Sequence, residues 1–184
     1  MNIIKTEIPG LLIIEPKVFE DHRGYFLESY NENLFKQHGI DVRFVQDNES
    51  KSSFGVLRGL HYQLEPYSQT KLVRVLQGKV MDVALDLRKG SPTFGKWFAI
   101  ELSAENKKQF LIPKGFAHGF SVLSETAIFS YKCDDFYKPD AERGILFNDP
   151  ALNIDWGLDL SKAVVSEKDH HNPIFEKAEI NFTY

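Results

Sequence analysis

GVLRGLHYQLEPYSQTKLVRVLQG, residues 55–78, is the stretch from which the rest of the chain can be read. It sets Arg58, His61, Tyr62, Gln63, Gln69 and Lys71 just ahead of an apolar run, Leu72 to Leu76. That run is β-branched enough for a strand, and Gly78 closes it with a turn. Proton carriers and anion binders gathered at one end of a buried strand point to a cleft. The plainer alternative is an edge strand with solvated polar residues.

Downstream, Lys79 to Arg88 alternates: Met81, Val83, Leu85 and Leu87 share one face, and Val80, Asp82, Ala84, Asp86 and Arg88 the other. After a turn through Lys89–Gly95, strands are expected over Trp97–Leu102, Phe110–Ile112, Phe116–Leu123 and Ala127–Lys132. From Asp134 onward the pattern is irregular and punctuated by Pro139, Pro150 and Pro173.

Upstream, Leu11–Ile14 is a strand stopped by Pro16. Glu20–Gly24 reads as a polar turn before a strand over Tyr25–Tyr30, where Phe26 and Glu28 share a face. Glu28 there is a ligand contact or an exposed edge. Asn31 to His38 is the one convincing helix, with Asn31 as N-cap and Gly39 as the left-handed stop. Val42–Val45 starts another strand, and the polar cluster Gln46–Ser50 after it reads as a turn or a reader of sugar and base hydroxyls and carbonyls.

Short strands with turn signals about every ten residues predict an all-β sandwich or barrel. With 184 residues and no linker, repeat or low-complexity segment, residues 1–184 form a single domain. The 15 Phe and 7 Tyr favour the same β reading. A net charge of −4 without a dense Lys/Arg run argues against nucleic-acid binding. Nothing is long and apolar enough to span a bilayer, and the first residues lack a signal-peptide pattern. One cysteine, Cys133, suits a reducing compartment, so a cytoplasmic protein is expected.

For acid–base chemistry the candidates are His61, Tyr131 and a lysine, Lys71 or Lys132. Singly, each has a structural explanation: a hydrogen-bonded strand-end His, a packed Tyr, a solvated Lys. Arg58 and His61 are separated by an odd number of residues, which a regular strand would send to opposite faces; a bulge at Gly59 reconciles them.

His61-Tyr62-Gln63 and Pro113-Lys114-Gly115-Phe116-Ala117-His118 resemble the two motifs of the cupin superfamily, a double-stranded β-helix of jelly-roll type. Metal-binding cupins carry His-x-His and a nearby Glu in the first motif. Gln63 stands at the second of those positions, so the resemblance implies the fold without a metal site.

DHRGYFLESY, QDNESKSSFGVLRGLHYQ, QTKLVRVLQGKV, DLRKGSPTFGKW, IPKGFAHGFSVLSE, YKCDDFY and NDP occur in that order. Together they resemble the dTDP-4-dehydrorhamnose 3,5-epimerase family, over nearly the whole chain. That resemblance implies epimerisation of dTDP-4-dehydro-6-deoxy-D-glucose at carbons 3 and 5, without cofactor or metal. It assigns His61 as base, Asp169 as its orienting carboxylate, Lys71 as enolate stabiliser and Tyr131 as proton donor. Arg23 and Arg58 match diphosphate contacts; Glu28, Gln46, Asp47 and Asn48 match nucleotide and sugar contacts. His118, Glu142 and Lys168 match further binding positions, and Tyr137 the aromatic that stacks on thymine. A homodimer is implied too, with residues near Arg23 and Glu28 supplied by the partner subunit. The loop Ile154–Gly157, where many relatives carry Pro after Trp, is expected to be peripheral. Other readings are a single-centre 3- or 5-epimerase, a metal-dependent cupin and a non-catalytic sugar binder.

Overall fold

The computed structural model describes residues 1–184. Its strands are β1 (Asn2–Lys5), β2 (Leu12–Glu15), β3 (Val18–Asp21), β4 (Gly24–Leu27), β5 (Gln46–Ser53), β6 (Val56–Gln63) and β7 (Lys71–Gln77). They continue as β8 (Lys79–Asp86), β9 (Trp97–Ser103), β10 (Gln109–Ile112), β11 (Phe116–Val122), β12 (Thr126–Cys133), β13 (Glu142–Gly144) and β14 (Val164–Val165). Helices are α1 (Glu32–Gln37) and α2 (Glu167–His170).

Two sheets face each other, as in a jelly roll. One runs β1-β2-β10-β7-β12-β5; the other runs β13-β6-β11-β8-β9, with β14 parallel to β6. Val73, Val75, Phe110, Ala127 and Phe129 from the first sheet meet Val80, Ala84, Leu102, Phe116, Phe120 and Val122 from the second. The alternation of β8 explains the next layer. Its other face, with Val83 and Leu85, packs beneath the C-terminal segment through Ile145, Phe147, Trp156 and Phe182. Both faces of that sheet are therefore covered, which lets β11 be buried throughout. No helix is long and apolar enough to cross a membrane.

Several sequence expectations change in detail. Val42–Val45 is not a strand; the strand begins at Gln46 and takes in the polar cluster. This works because β5 is an edge strand, paired only with β12, so its polar side chains meet cavity or solvent. The chain from Val18 to Leu27 forms a tight hairpin whose second strand stops at Leu27 rather than Tyr30. The α1 helix forms as expected, with Asn31 Oδ1 accepting from the Leu34 amide and Phe35 buried. The second helix, α2, is too short for periodicity to reveal; Ser166 caps it. Trp156 is not peripheral. It is 1% exposed, donates from Nε1 to the Phe147 carbonyl, and its own carbonyl accepts from Ser121 Oγ.

Candidate active site

The bulge expected at Gly59 is present. On β11, His118 pairs with His61 and Phe120 with Arg58, so three steps along β6 match two along β11. Gly59 has φ +128°, and a Cβ there would lie 2.5 Å from Gly119 Cα and 2.9 Å from the His118 carbonyl. Only glycine fits. The extra residue turns Arg58 and His61 toward the same space, a cavity of about 580 Å³ between the sheets.

His61 enters this cavity from β6. Its Nε2–H donates to Asp169 Oδ1 at 2.5 Å. Asp169 is 2% exposed and comes from α2, where the Ser166 cap fixes the helix start. The Gly59 amide and Asn172 Nδ2 each approach the carboxylate at 3.4 Å. Burial works to raise the Asp169 pKa, but the His61 hydrogen bond and charge, with the Gly59 and Ser166 contacts, outweigh it and hold the group ionised below its ordinary range.

Tyr131 comes from the opposite sheet, on β12, next to Lys71 at the start of β7. The Lys71 ammonium lies 5.8 Å from the Tyr131 ring centroid. Burial raises the Tyr131 pKa, so the phenol keeps its proton at neutral pH. Burial lowers that of Lys71, against the pull of Cys133, Asp82 and Glu142. Cys133, the register partner of Lys71 across the β7–β12 ladder, is pushed up to about 11 by burial and stays a thiol. Of the two candidate lysines only Lys71 faces the cavity. Lys132 is on the outer face of β12, paired with Asp47 at 2.9 Å.

Asn48, Arg58 and His118 also line the cavity. Arg58 Nε donates to Ser52 Oγ, and His118 Nε2 approaches both oxygens of buried Asp82 at 3.1 and 2.9 Å. Tyr137, Glu142 and Lys168 form a cluster of their own. Glu142 Oε2 accepts from Tyr137 at 2.9 Å and from Lys168 at 2.5 Å. Gln46 Oε1 accepts from the Tyr137 amide, and Gln46 Nε2 donates to Asn48. Gln63 is spent on the same loop: its amide donates to the Tyr67 and Phe136 carbonyls and accepts from Lys138 N–H.

Three expected binding residues do not join this group. Asp47 faces outward with Lys132, because adjacent residues of β5 point to opposite sides. Arg23 is exposed in the β3–β4 turn and paired with Asp21 at 2.6 Å. Glu28, just beyond that hairpin, is exposed and has no partner within the chain.

Sequence reading passed over Asp82 and Asn172. Asp82 carried a usable signal, a carboxylate between Val80 and Ala84 on a strand face; Asn172, in an irregular segment, carried none. No group of three or more His, Cys, Asp and Glu side chains is gathered closely enough to hold a metal ion.

The dTDP-4-dehydrorhamnose 3,5-epimerase family profile matches residues 5–177. The chain belongs to that family. A dTDP-4-dehydrorhamnose 3,5-epimerase of Shigella flexneri is 58% identical over 180 residues, covering 97% of this chain and 98% of the relative. Among solved structures, the epimerase of Elizabethkingia anophelis superposes with a TM-score of 0.91 at 56% identity, covering 96% and 97% of the two chains. The Legionella pneumophila dTDP-6-deoxy-D-glucose-3,5-epimerase, solved in complex with dTDP-4-keto-L-rhamnose, gives 0.95 at 52% identity, covering 100% and 98%. The double-stranded β-helix is thus the family's fold, and the chain is an isomerase of the dTDP-sugar epimerase family.

Proposed function

We propose that this protein inverts carbons 3 and 5 of dTDP-4-dehydro-6-deoxy-D-glucose, giving dTDP-4-dehydro-L-rhamnose. One arrangement carries the assignment of roles: His61 and Tyr131 project from opposite sheets into one cavity, with Lys71 beside Tyr131. Both carbons flank the 4-keto group, so their C–H bonds are the acidic ones of the sugar. Inversion needs a base on one face of the ring, a donor on the other and stabilisation of the enolate between.

With its Nε2–H given to Asp169, His61 has Nδ1 left for substrate. Nδ1 takes the proton from carbon 3 or 5, and the C–H electron pair moves into the ring to form the enolate. Asp169 stabilises the imidazolium so formed. The Lys71 ammonium meets the developing negative charge on the carbon-4 oxygen. Tyr131 then delivers its proton to the opposite face, and the carbonyl re-forms. Proton return through solvent resets both residues before the second centre reacts. The chemistry draws only on these side chains.

Arg58 takes the diphosphate, a task suited to a guanidinium fork. Asn48, Gln46 and His118 hold the sugar and nucleoside. Tyr137, fixed by Glu142, provides the face on which thymine stacks, with Lys168 alongside. Arg23 and Glu28 belong to the same binding set; Asp47, turned outward onto Lys132, does not. Arg23 and Glu28 reach it from the partner in a homodimer. Their hairpin pairs with no other strand and exposes Phe19, Tyr25 and Phe26, the last 69% exposed, which favours a covering partner. We place the reaction in the cytoplasm, where the free thiol of Cys133 would persist.

The test is product analysis. Chelator-treated protein is incubated with dTDP-4-dehydro-6-deoxy-D-glucose and an NADPH-dependent 4-ketoreductase, and the sugar is released and identified. L-Rhamnose is the expected sugar. A product inverted at one carbon would make this a single-centre enzyme, and turnover only after metal is restored would replace the proposed chemistry. For the dimer, mixed Arg23→Ala and His61→Asn subunits are expected to regain activity that neither has alone; no recovery would contradict a shared site.

A further inference from the structure

Gln63 ends β6 with its side chain buried, 5% exposed, and both polar atoms of its amide in use. Nε2 donates to the Tyr67 carbonyl at 2.6 Å and to the Phe136 carbonyl at 3.3 Å. Oε1 accepts from the Lys138 N–H at 2.7 Å. A glutamine can do both because its amide carries donors and an acceptor; a carboxylate only accepts and an ammonium only donates.

Phe136 and Lys138 are the chain neighbours of Tyr137. The two peptide planes flanking the Tyr137 Cα are therefore both held, and their orientation sets its φ and ψ. The first is held at each end: its carbonyl by Gln63, and its N–H by Gln46 Oε1 at 3.1 Å. The second is held at its N–H by Gln63. The ring is caught at its far end, where the hydroxyl donates to Glu142 Oε2 at 2.9 Å. Glu142 is the register partner of Gln63 across the β6–β13 ladder, so two paired positions hold the backbone and the ring of one tyrosine. Phe136 and Tyr137 are both exposed, so hydrogen bonds rather than packing hold this segment. The tie extends along the loop, where Gln69 Nε2 donates to the Asp135 carbonyl and the Thr70 N–H to Asp134 Oδ1.

We propose that Gln63 is a positioning residue for nucleotide binding: it fixes the backbone of Tyr137, so that the ring stands in place before the base arrives. The inference rests on the stacking role given to Tyr137 above and names what prepares it. An exposed segment ordered only on binding would charge its lost freedom against affinity; one held in advance does not. Gln63 acts through Tyr137 and takes no part in proton transfer.

Gln63→Met keeps the length of the side chain and removes its three hydrogen bonds. Its Kd for dTDP, read by titration calorimetry, and its KM should each rise about tenfold, while kcat stays within about twofold of the parent. The double variant with Tyr137→Ala separates positioning from general weakening. Added to Tyr137→Ala, Gln63→Met should raise Kd by less than about twofold, because both act through one ring. An unchanged Kd in folded Gln63→Met would overturn the proposal. So would a tenfold loss that persists in the Tyr137→Ala background, the mark of a merely structural role.

Should Gln63→Met not fold, hydrogen exchange in the unmodified, ligand-free protein decides. The Lys138 N–H, bonded to a buried oxygen, should exchange at least about tenfold more slowly than an unprotected amide. Unprotected exchange that slows only when dTDP is added would overturn the proposal. If Tyr137→Ala weakens dTDP binding and folded Gln63→Met does not, this inference alone fails. If Tyr137→Ala binds dTDP as the parent does, the reading of Tyr137 fails and this inference falls with it.

Discussion

His61 and Asp169 are 108 residues apart in sequence and 2.5 Å apart in space, joined by a hydrogen bond from Nε2 to Oδ1. That contact needs two separate devices: the bulge at Gly59 that aims the imidazole and the Ser166 cap that presents the carboxylate. Asp169→Asn keeps the shape but can favour the wrong imidazole tautomer. Its kcat is expected to drop on the order of 10²–10⁴-fold with little change in KM. A variant within twofold of the parent would show that the carboxylate does not orient the base.

The same pair makes acid stability testable. The folded protein holds Asp169 below its ordinary pKa, so its contribution is present above the unfolded carboxylate value, near 4, and is lost as pH falls through the folded one. Urea denaturation should therefore show the stability gap between parent and Asp169→Asn shrinking from pH 6 toward pH 3. A gap that does not vary over that range would contradict the depressed pKa.

Tyr131→Phe keeps the packed ring and deletes the donor. Reprotonation should slow more than deprotonation, so turnover is expected to fall by about 10²-fold or more while solvent exchange at the substrate carbons persists. Stopped turnover with equally stopped exchange would move Tyr131 to the deprotonation step.

Gly59→Ala puts a methyl group against Gly119 Cα in a backbone conformation that L residues avoid. The expected cost is about 2–4 kcal/mol in denaturant unfolding, with activity lost beyond what unfolding explains, because His61 moves with the strand. Parent-like stability would mean that β6 and β11 can separate without consequence.

Tyr137 is 53% exposed and contributes no packing to the core, so removing it should affect binding rather than folding. Tyr137→Ala is expected to raise KM about tenfold, within the ~1–3 kcal/mol typical of a stacked base, and to spare kcat. Tyr137→Phe loses only the Glu142 hydrogen bond and should be nearer the parent. Equal KM values for all three proteins would remove Tyr137 from the nucleotide site.

Much of this arrangement could be read from the chain. The alternation of β8 announces a strand, though not that both its faces are buried, and the parity conflict between Arg58 and His61 announces the bulge. Where the reading failed, the cause is tertiary. The polar run Gln46–Ser50 looks like a turn because its propensities are those of a turn; pairing with Tyr131–Cys133 and neighbouring residues of β12 makes it an edge strand. Asp47 follows from that strand too, since period-two geometry turns it away from Asn48 and the cavity. The helix carrying Asp169 is a single turn, below the length at which any periodicity is visible. The loop of Trp156 stands out in the sequence only for lacking a Pro after the Trp and reads as peripheral, yet Trp156 fills the space over Gly119, a contact that no local pattern encodes. Asp82 stood in view on an apolar strand face, and only the pairing of β8 with β11 brings His118 to it.

The most direct test of the account is proton exchange with solvent, followed by NMR of dTDP-4-dehydro-6-deoxy-D-glucose in heavy water with the protein and its His61→Asn variant. The account predicts deuterium at both carbon 3 and carbon 5 with the parent and at neither with the variant, while the variant still binds dTDP. Undiminished exchange at both carbons in folded His61→Asn would contradict it.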